Sequence, residues 1–176
     1  HKYGFRIIQR LVEQCHPKQV QELVEKVLKD VTALSRHQYG TYVVQHILEH
    51  ASDEHRRRIV QVVVKDIRIL GAEPQGCAVV SAALSYGLDD DRSALAQILL
   101  REPGLLVFLA SSRHGHVAAL RMLDLLVGKE LEDARNRLQA EAESLRNCRY
   151  GRIVVDYLEQ SDSTRCPWRA ACRAGA

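Results

Sequence analysis

"HQYGTYVVQHILEH", residues 37–50, decides the fold, because it has a helical period and because it recurs. Val43, Val44, Ile47 and Leu48 return at the spacing of one buried helix face. Thr41, Tyr42 and Gln45 fall together on the opposite face, which sets an aromatic ring between a hydroxyl and a carboxamide on the solvent side. The glycine that precedes them, Gly40, has counterparts at Gly4, Gly76, Gly115 and Gly151, spaced by 36, 36, 39 and 36 residues. Each glycine opens the same frame: two variable residues, two apolar, two variable, then apolar again. A period of this length repeated along the chain marks a solenoid, in which each unit buries its apolar face only against its neighbours.

Within a period the segments read as helices. Pro17 sits near the start of "KQVQELVEKVL", and Asp53 is placed to cap "EHRRRIVQVVV". "VTALS", "DIRIL" and "LLVFLAS" are short apolar pieces that lead into the next glycine frame. "RIVQVVVKDIRIL" is rich in β-branched residues, but the period assigns it to helix. The expected architecture is all-α with about three helices per repeat, a repeat domain over 1–160 and an irregular tail over 161–176 that contains the single tryptophan, Trp168.

Composition narrows the class. The chain has 46% apolar and 27% charged residues, which is ordinary globular composition, and no apolar run approaches the roughly 20 residues that span a bilayer. It opens at His1 without an initiator Met and is read as a piece of something longer. Its five cysteines (15, 77, 148, 166 and 172) are widely spread without a C-x-x-C pair, so reduced thiols in a cytoplasmic or nuclear setting are expected. Residues 1–64 hold 10 Lys/Arg against 7 Asp/Glu, whereas the remainder balances at 15 of each, which puts any attraction for a polyanion in the first third. "HGH" at 114–116 has its histidines at i, i+2, on different sides of a helix, so no metal centre is expected. No P-loop, G-x-S-x-G or Cys/His signature is present, so no catalytic residue and no cofactor are assigned.

The segments "YGFRIIQRLVEQC" and "HQYGTYVVQHILEH" resemble RNA-reading helices of the Pumilio (PUF) family, and the resemblance extends over residues 1–160. The first two units are similar to that family's fifth and sixth repeats, and the 39-residue unit to its seventh. "RYGRIVVDYLEQ" is similar to its C-terminal capping pseudo-repeat. The resemblance implies a right-handed, curved α-solenoid of about five three-helix PUF-type repeats. It also implies a monomeric module that binds single-stranded mRNA in post-transcriptional control, in the cytoplasm, with nucleus or nucleolus as alternatives. Regulatory proteins would dock on the convex face. The rival reading is a degenerate PUF-like solenoid that serves as a protein-interaction scaffold.

In that family the first and fifth residues after the glycine bond a base edge, and the second stacks on bases. The resemblance therefore implies edge readers at Phe5, Gln9, Thr41 and Gln45, and stacking groups at Arg6 and Tyr42. Arg10 and His46, which follow the glutamines, are candidate phosphate contacts. The two later triplets, Cys77, Ala78, Ser81 and His116, Val117, Leu120, lack both a stacking plane at the second position and an amide or carboxylate at the fifth. They are expected to keep the scaffold and lose the chemistry. "HRRR" (55–58) is expected on the outer, convex face, either solvated or as a patch for a protein.

Overall fold

The computed structural model describes residues 2–162, of which 83% are helical with no strand among them. Thirteen helices follow one another: α1 (Gly4–Gln14), α2 (Pro17–Lys29), α3 (Val31–Arg36), α4 (Gly40–His50), α5 (Asp53–Lys65), α6 (Ile67–Gly71), α7 (Pro74–Tyr86), α8 (Asp89–Arg101), α9 (Leu105–Ser111), α10 (His116–Leu125), α11 (Gly128–Ala140), α12 (Ala142–Arg146) and α13 (Arg149–Asp162). They form four triplets, and α13 alone represents the fifth glycine frame. The β-branched stretch is helical, as α5 and α6. Asp53 is the first residue of α5 rather than its cap, and the capping position falls to Ser52. The tail and Trp168 lie outside the described residues, apart from 161–162, which continue α13.

Two layers result. Helices α1, α4, α7, α10 and α13 pack side by side as an inner row, and α2, α5, α8 and α11 form an outer row. Each short helix (α3, α6, α9, α12) packs on the inner helix that follows it. The core between the rows contains the recurring stripe, with Ile47, Leu48, Val80, Leu84, Leu99, Leu109 and Leu123 all buried. Helix α1 has an inner neighbour on one side only, so Ile7 and Leu11 remain exposed.

The glycine frame has a steric cause. A Cβ on Gly40, Gly76 or Gly151 would stand 2.5, 2.2 or 2.3 Å from the carbonyl oxygen of Leu34, Leu70 or Leu145, the residue six positions earlier on the preceding short helix. On Gly115 it would stand 2.8 Å from the backbone of Leu109. The start of α4, α7, α10 and α13 thus rests directly on the short helix before it, closer than any side chain allows. The 39-residue spacing is equally local. Helices α2, α5, α8 and α11 all start 13 residues after their glycines. Two of the three extra residues fall after α8, where Glu102, Pro103 and Gly104 (φ 72°) form a loop in place of a single linking residue, and the third lies between the start of α9 and Gly115.

Polar pairs on the outer and short helices link one repeat to the next. Arg36 is paired with Glu73 (2.7 Å), Arg58 with Glu25 (2.6 Å), Arg57 with Asp91 (3.4 Å) and Arg68 with Glu102 (2.6 Å), and Thr32 donates to Asp66 (2.5 Å). The arginines of "HRRR" stay at the surface, as the solvated reading expects, but each has a partner. Arg57 and Arg58 face acids on the repeats after and before their own, and Arg56 bonds the Glu49 carbonyl (3.0 Å). The partner guanidinium of Arg58 holds the Glu25 carboxyl below its usual range.

Candidate nucleic-acid interface

The inner row carries the triplets in equivalent places on successive helices, one turn in from the glycine. On α4, Tyr42 is 49% exposed, and Gln45 lies half-buried beside it. Gln45 Nε2 donates to the Thr41 carbonyl (3.2 Å) and to Thr41 Oγ1 (3.0 Å). A carbonyl can only accept, so these bonds orient the carboxamide and leave its Oε1 as the unengaged acceptor. Thr41 does not share the solvent face as its spacing suggested. It is buried, and its hydroxyl donates to the Gln75 carbonyl of the next repeat (3.1 Å). It orients Gln45 and has no edge to offer.

Phe5 is also placed differently from the edge-reading role. Its ring stacks on Tyr42 (centroids 5.3 Å, planes 30° apart) and on Tyr39 (5.8 Å, 10°), with the Arg6 guanidinium 5.8 Å from its centre. Phe5 therefore occupies the gap between the two stacking groups Arg6 and Tyr42. Gln9 Nε2 donates to the Tyr42 carbonyl (3.3 Å), which ties it to the neighbouring helix.

Of the two candidate phosphate contacts, Arg10 is exposed but paired with Glu13 (2.8 Å). His46 is 9% exposed, with Nε2 3.1 Å from the Gln9 carbonyl and 3.2 Å from Glu13. Burial, followed by the neighbouring His50, pushes its pKa below the usual histidine value. A neutral imidazole locked between α1 and α4 is a packing group rather than a phosphate ligand. Glu13, His46 and His50 bring donor atoms within 4.8 Å of one another, a juxtaposition across two repeats that the sequence spacing concealed. A metal there would have to displace the bond to Gln9.

The later triplets are occupied by structural bonds. Cys77 is fully buried, its Sγ donates to the Gly71 carbonyl (3.1 Å), and burial raises its pKa to about 11. Ala78 is half-buried, and Ser81 Oγ donates to the His114 carbonyl (3.2 Å). His116 stacks on Tyr150 (4.9 Å, 29°), Val117 is 40% exposed, and Leu120 packs on the core. Sequence reasoning missed the residue before each glycine. Tyr39 and Tyr150 hold the first triplet residue of the preceding repeat, Phe5 or His116, by stacking. The signal was present as Tyr3, Tyr39 and Tyr150 in one register. No single helix among the described residues is long and apolar enough to cross a membrane.

The model of the Pumilio-family RNA binding repeat matches residues 1–28 and 30–64. Among solved structures, PUF-8 in complex with PBE-RNA is similar at 24% identity and a TM-score of 0.73, over 90% of this chain and 47% of its own. The Puf3 RNA binding domain bound to a Cox17 RNA 3′ UTR recognition sequence is similar at 20% identity and a TM-score of 0.78, over 91% and 46%. The RNA-binding domain of yeast Puf5p bound to SMX2 RNA is similar at 12% and 0.73, also over 91% and 46%. This chain thus spans about half the length of each, and all share its fold. A sequence search among curated proteins finds no match.

Proposed function

We propose that this Pumilio-type repeat domain, with family repeats over residues 1–64, binds single-stranded RNA and acts on mRNA by binding alone, without catalysis. The observation that carries the reading is the Tyr42/Gln45 pair: an aromatic plane half in solvent, beside a carboxamide whose orientation Thr41 sets. Unstacked bases offer the face that such a ring takes and the edge that such an amide reads. The unengaged Gln45 Oε1 suits a base that presents an N–H, and the filled gap at Phe5 directs binding to the other side of Tyr42.

From this follow the finer parts of the proposal: recognition within 3′ untranslated regions, and post-transcriptional regulation by a cytoplasmic monomer that recruits others. Titration of a labelled RNA tests the core of it. Stacking is worth about 1–3 kcal/mol per base, so Tyr42→Ala weakens binding by one to two decades, whereas Arg57→Ala, on the outer helix, leaves it unchanged. Binding that depends on Arg57 more than on Tyr42 would refute base stacking in favour of diffuse electrostatics.

One observation favours the scaffold reading as a second role. The loop after α8 opens a cleft of about 540 Å³, lined by Phe108, Leu105 and Pro103 with Arg68 and Glu102 at its rim, and Phe108 is 44% exposed. A partner held there would be released by Phe108→Asp with RNA affinity intact.

A further inference from the structure

The last helix resembles a capping element by sequence, yet in the register of the triplets it presents Arg152, Ile153 and Asp156. Apart from Arg6, whose guanidinium lies against the Phe5 ring, the polar members of the other triplets bond within the protein, Gln45 through its amide nitrogen only. Gln9 donates to the Tyr42 carbonyl, Thr41 and Gln45 bond each other, Cys77 donates to Gly71, Ser81 to His114, and His116 Nδ1 meets the Arg113 carbonyl at 2.9 Å. The side chains of Arg152 and Asp156 are exposed and make no ion pair or hydrogen bond among the described residues, with each other or with any other group. Four positions apart, they are neighbours on the helix surface, a donor fork beside an acceptor.

The surroundings match a ligand with both a flat apolar face and negative charge. Val117 and Ile153, 40% and 42% exposed, hold the stacking register on α10 and α13. Beside them His116 stacks on Tyr150 (4.9 Å), the same register in which Phe5 stacks on Tyr39 (5.8 Å), and Arg149 lies 5.7 Å from the Tyr150 ring. Arg113 and Arg149, two residues before their glycines, are exposed and form no ion pair among the described residues, unlike Arg57 and Arg58 on the outer row and Arg36 and Arg68 on the short helices.

We propose that the junction of α10 and α13 is a second single-stranded RNA site, in which Arg152 and Asp156 read a guanine and Arg113 and Arg149 hold its flanking phosphates. This rests on the RNA-binding reading above. Guanine is the base whose outer edge sets two adjacent N–H donors, for the two oxygens of Asp156, beside a carbonyl acceptor for Arg152. With one base per repeat, the guanine lies three nucleotides from the base at Tyr42, with two unread bases between.

The test is a set of anisotropy titrations of the full chain with labelled single-stranded RNAs, in which one guanine is walked through an otherwise uniform background. The wild type favours one guanine position by about tenfold. Asp156→Asn abolishes that preference while the far-ultraviolet spectrum and melting midpoint stay unchanged. Arg113→Ala with Arg149→Ala weakens every RNA alike and flattens the salt dependence. Tyr42→Ala weakens binding but keeps the guanine preference. If Tyr42 matters and no guanine position is favoured, or if Asp156→Asn retains the preference, this site is overturned and the first stands. If no RNA is retained even at low salt, both fall.

Discussion

Gly76→Ala should destabilise the solenoid, although alanine is the better helix former. The added Cβ would stand 2.2 Å from the Leu70 carbonyl oxygen and 2.7 Å from its Cα, so backbone rather than a movable side chain must give way. Leu70 is itself fully buried, and shifting α6 to relieve the contact loosens its packing. Overpacking of this kind costs about 1–3 kcal/mol. Alanine returns at most about 1 kcal/mol of helix propensity, and less here because Gly76 lies in the first turn of α7. The net loss is roughly 1–2 kcal/mol, which for a domain of this size lowers the melting midpoint by roughly 2–8 °C. Thermal and urea unfolding followed by circular dichroism measure it, both being used because repeat arrays depart from two-state behaviour. A midpoint that stays put or rises would refute the close-approach account of the glycine frame.

Phe5→Ser should empty the gap between Arg6 and Tyr42 and admit a base there, so RNA affinity rises by about tenfold while the melting midpoint falls; unchanged affinity in a folded variant would show that Phe5 does not fill a base slot. His46 is held below its usual value near 6.5, so the folded state disfavours its proton and the unfolded chain binds it more readily. Its contribution to stability is full above that value and is lost as the pH falls through the folded pKa, with Glu13, Glu49 and His50 as the facing charges. His46→Gln should flatten the decline in urea midpoint between about pH 7 and 5, and a parallel decline in both proteins would count against it. Cys77, buried with a pKa of about 11, should resist thiol reagents in the native state while the half-buried Cys15 and Cys148 react, as mass spectrometry of the labelled chain would report.

What the sequence determined by itself is whatever repeats along the chain. The glycines, the Val43/Val44/Ile47/Leu48 stripe and the 36-residue period each depend on neighbours within a few positions, and together they require stacked helices. The same local frame identified Tyr42 and Gln45, because a helix fixes which side chains share a face. The tertiary structure decided what those faces meet. Thr41 is buried because the Gln75 carbonyl, 34 residues on, lies against it, and His46 is buried because Gln9 and Glu13 approach from α1. Phe5 became a plug rather than an edge reader because Tyr39 and Tyr42 flank its ring, and Arg57 and Arg58 of "HRRR" are paired with acids 34 and 33 positions away. All of these partners stand about one repeat apart. A solenoid makes its lateral contacts at that separation, and helical periodicity, which reports only the few residues on either side, is blind to it.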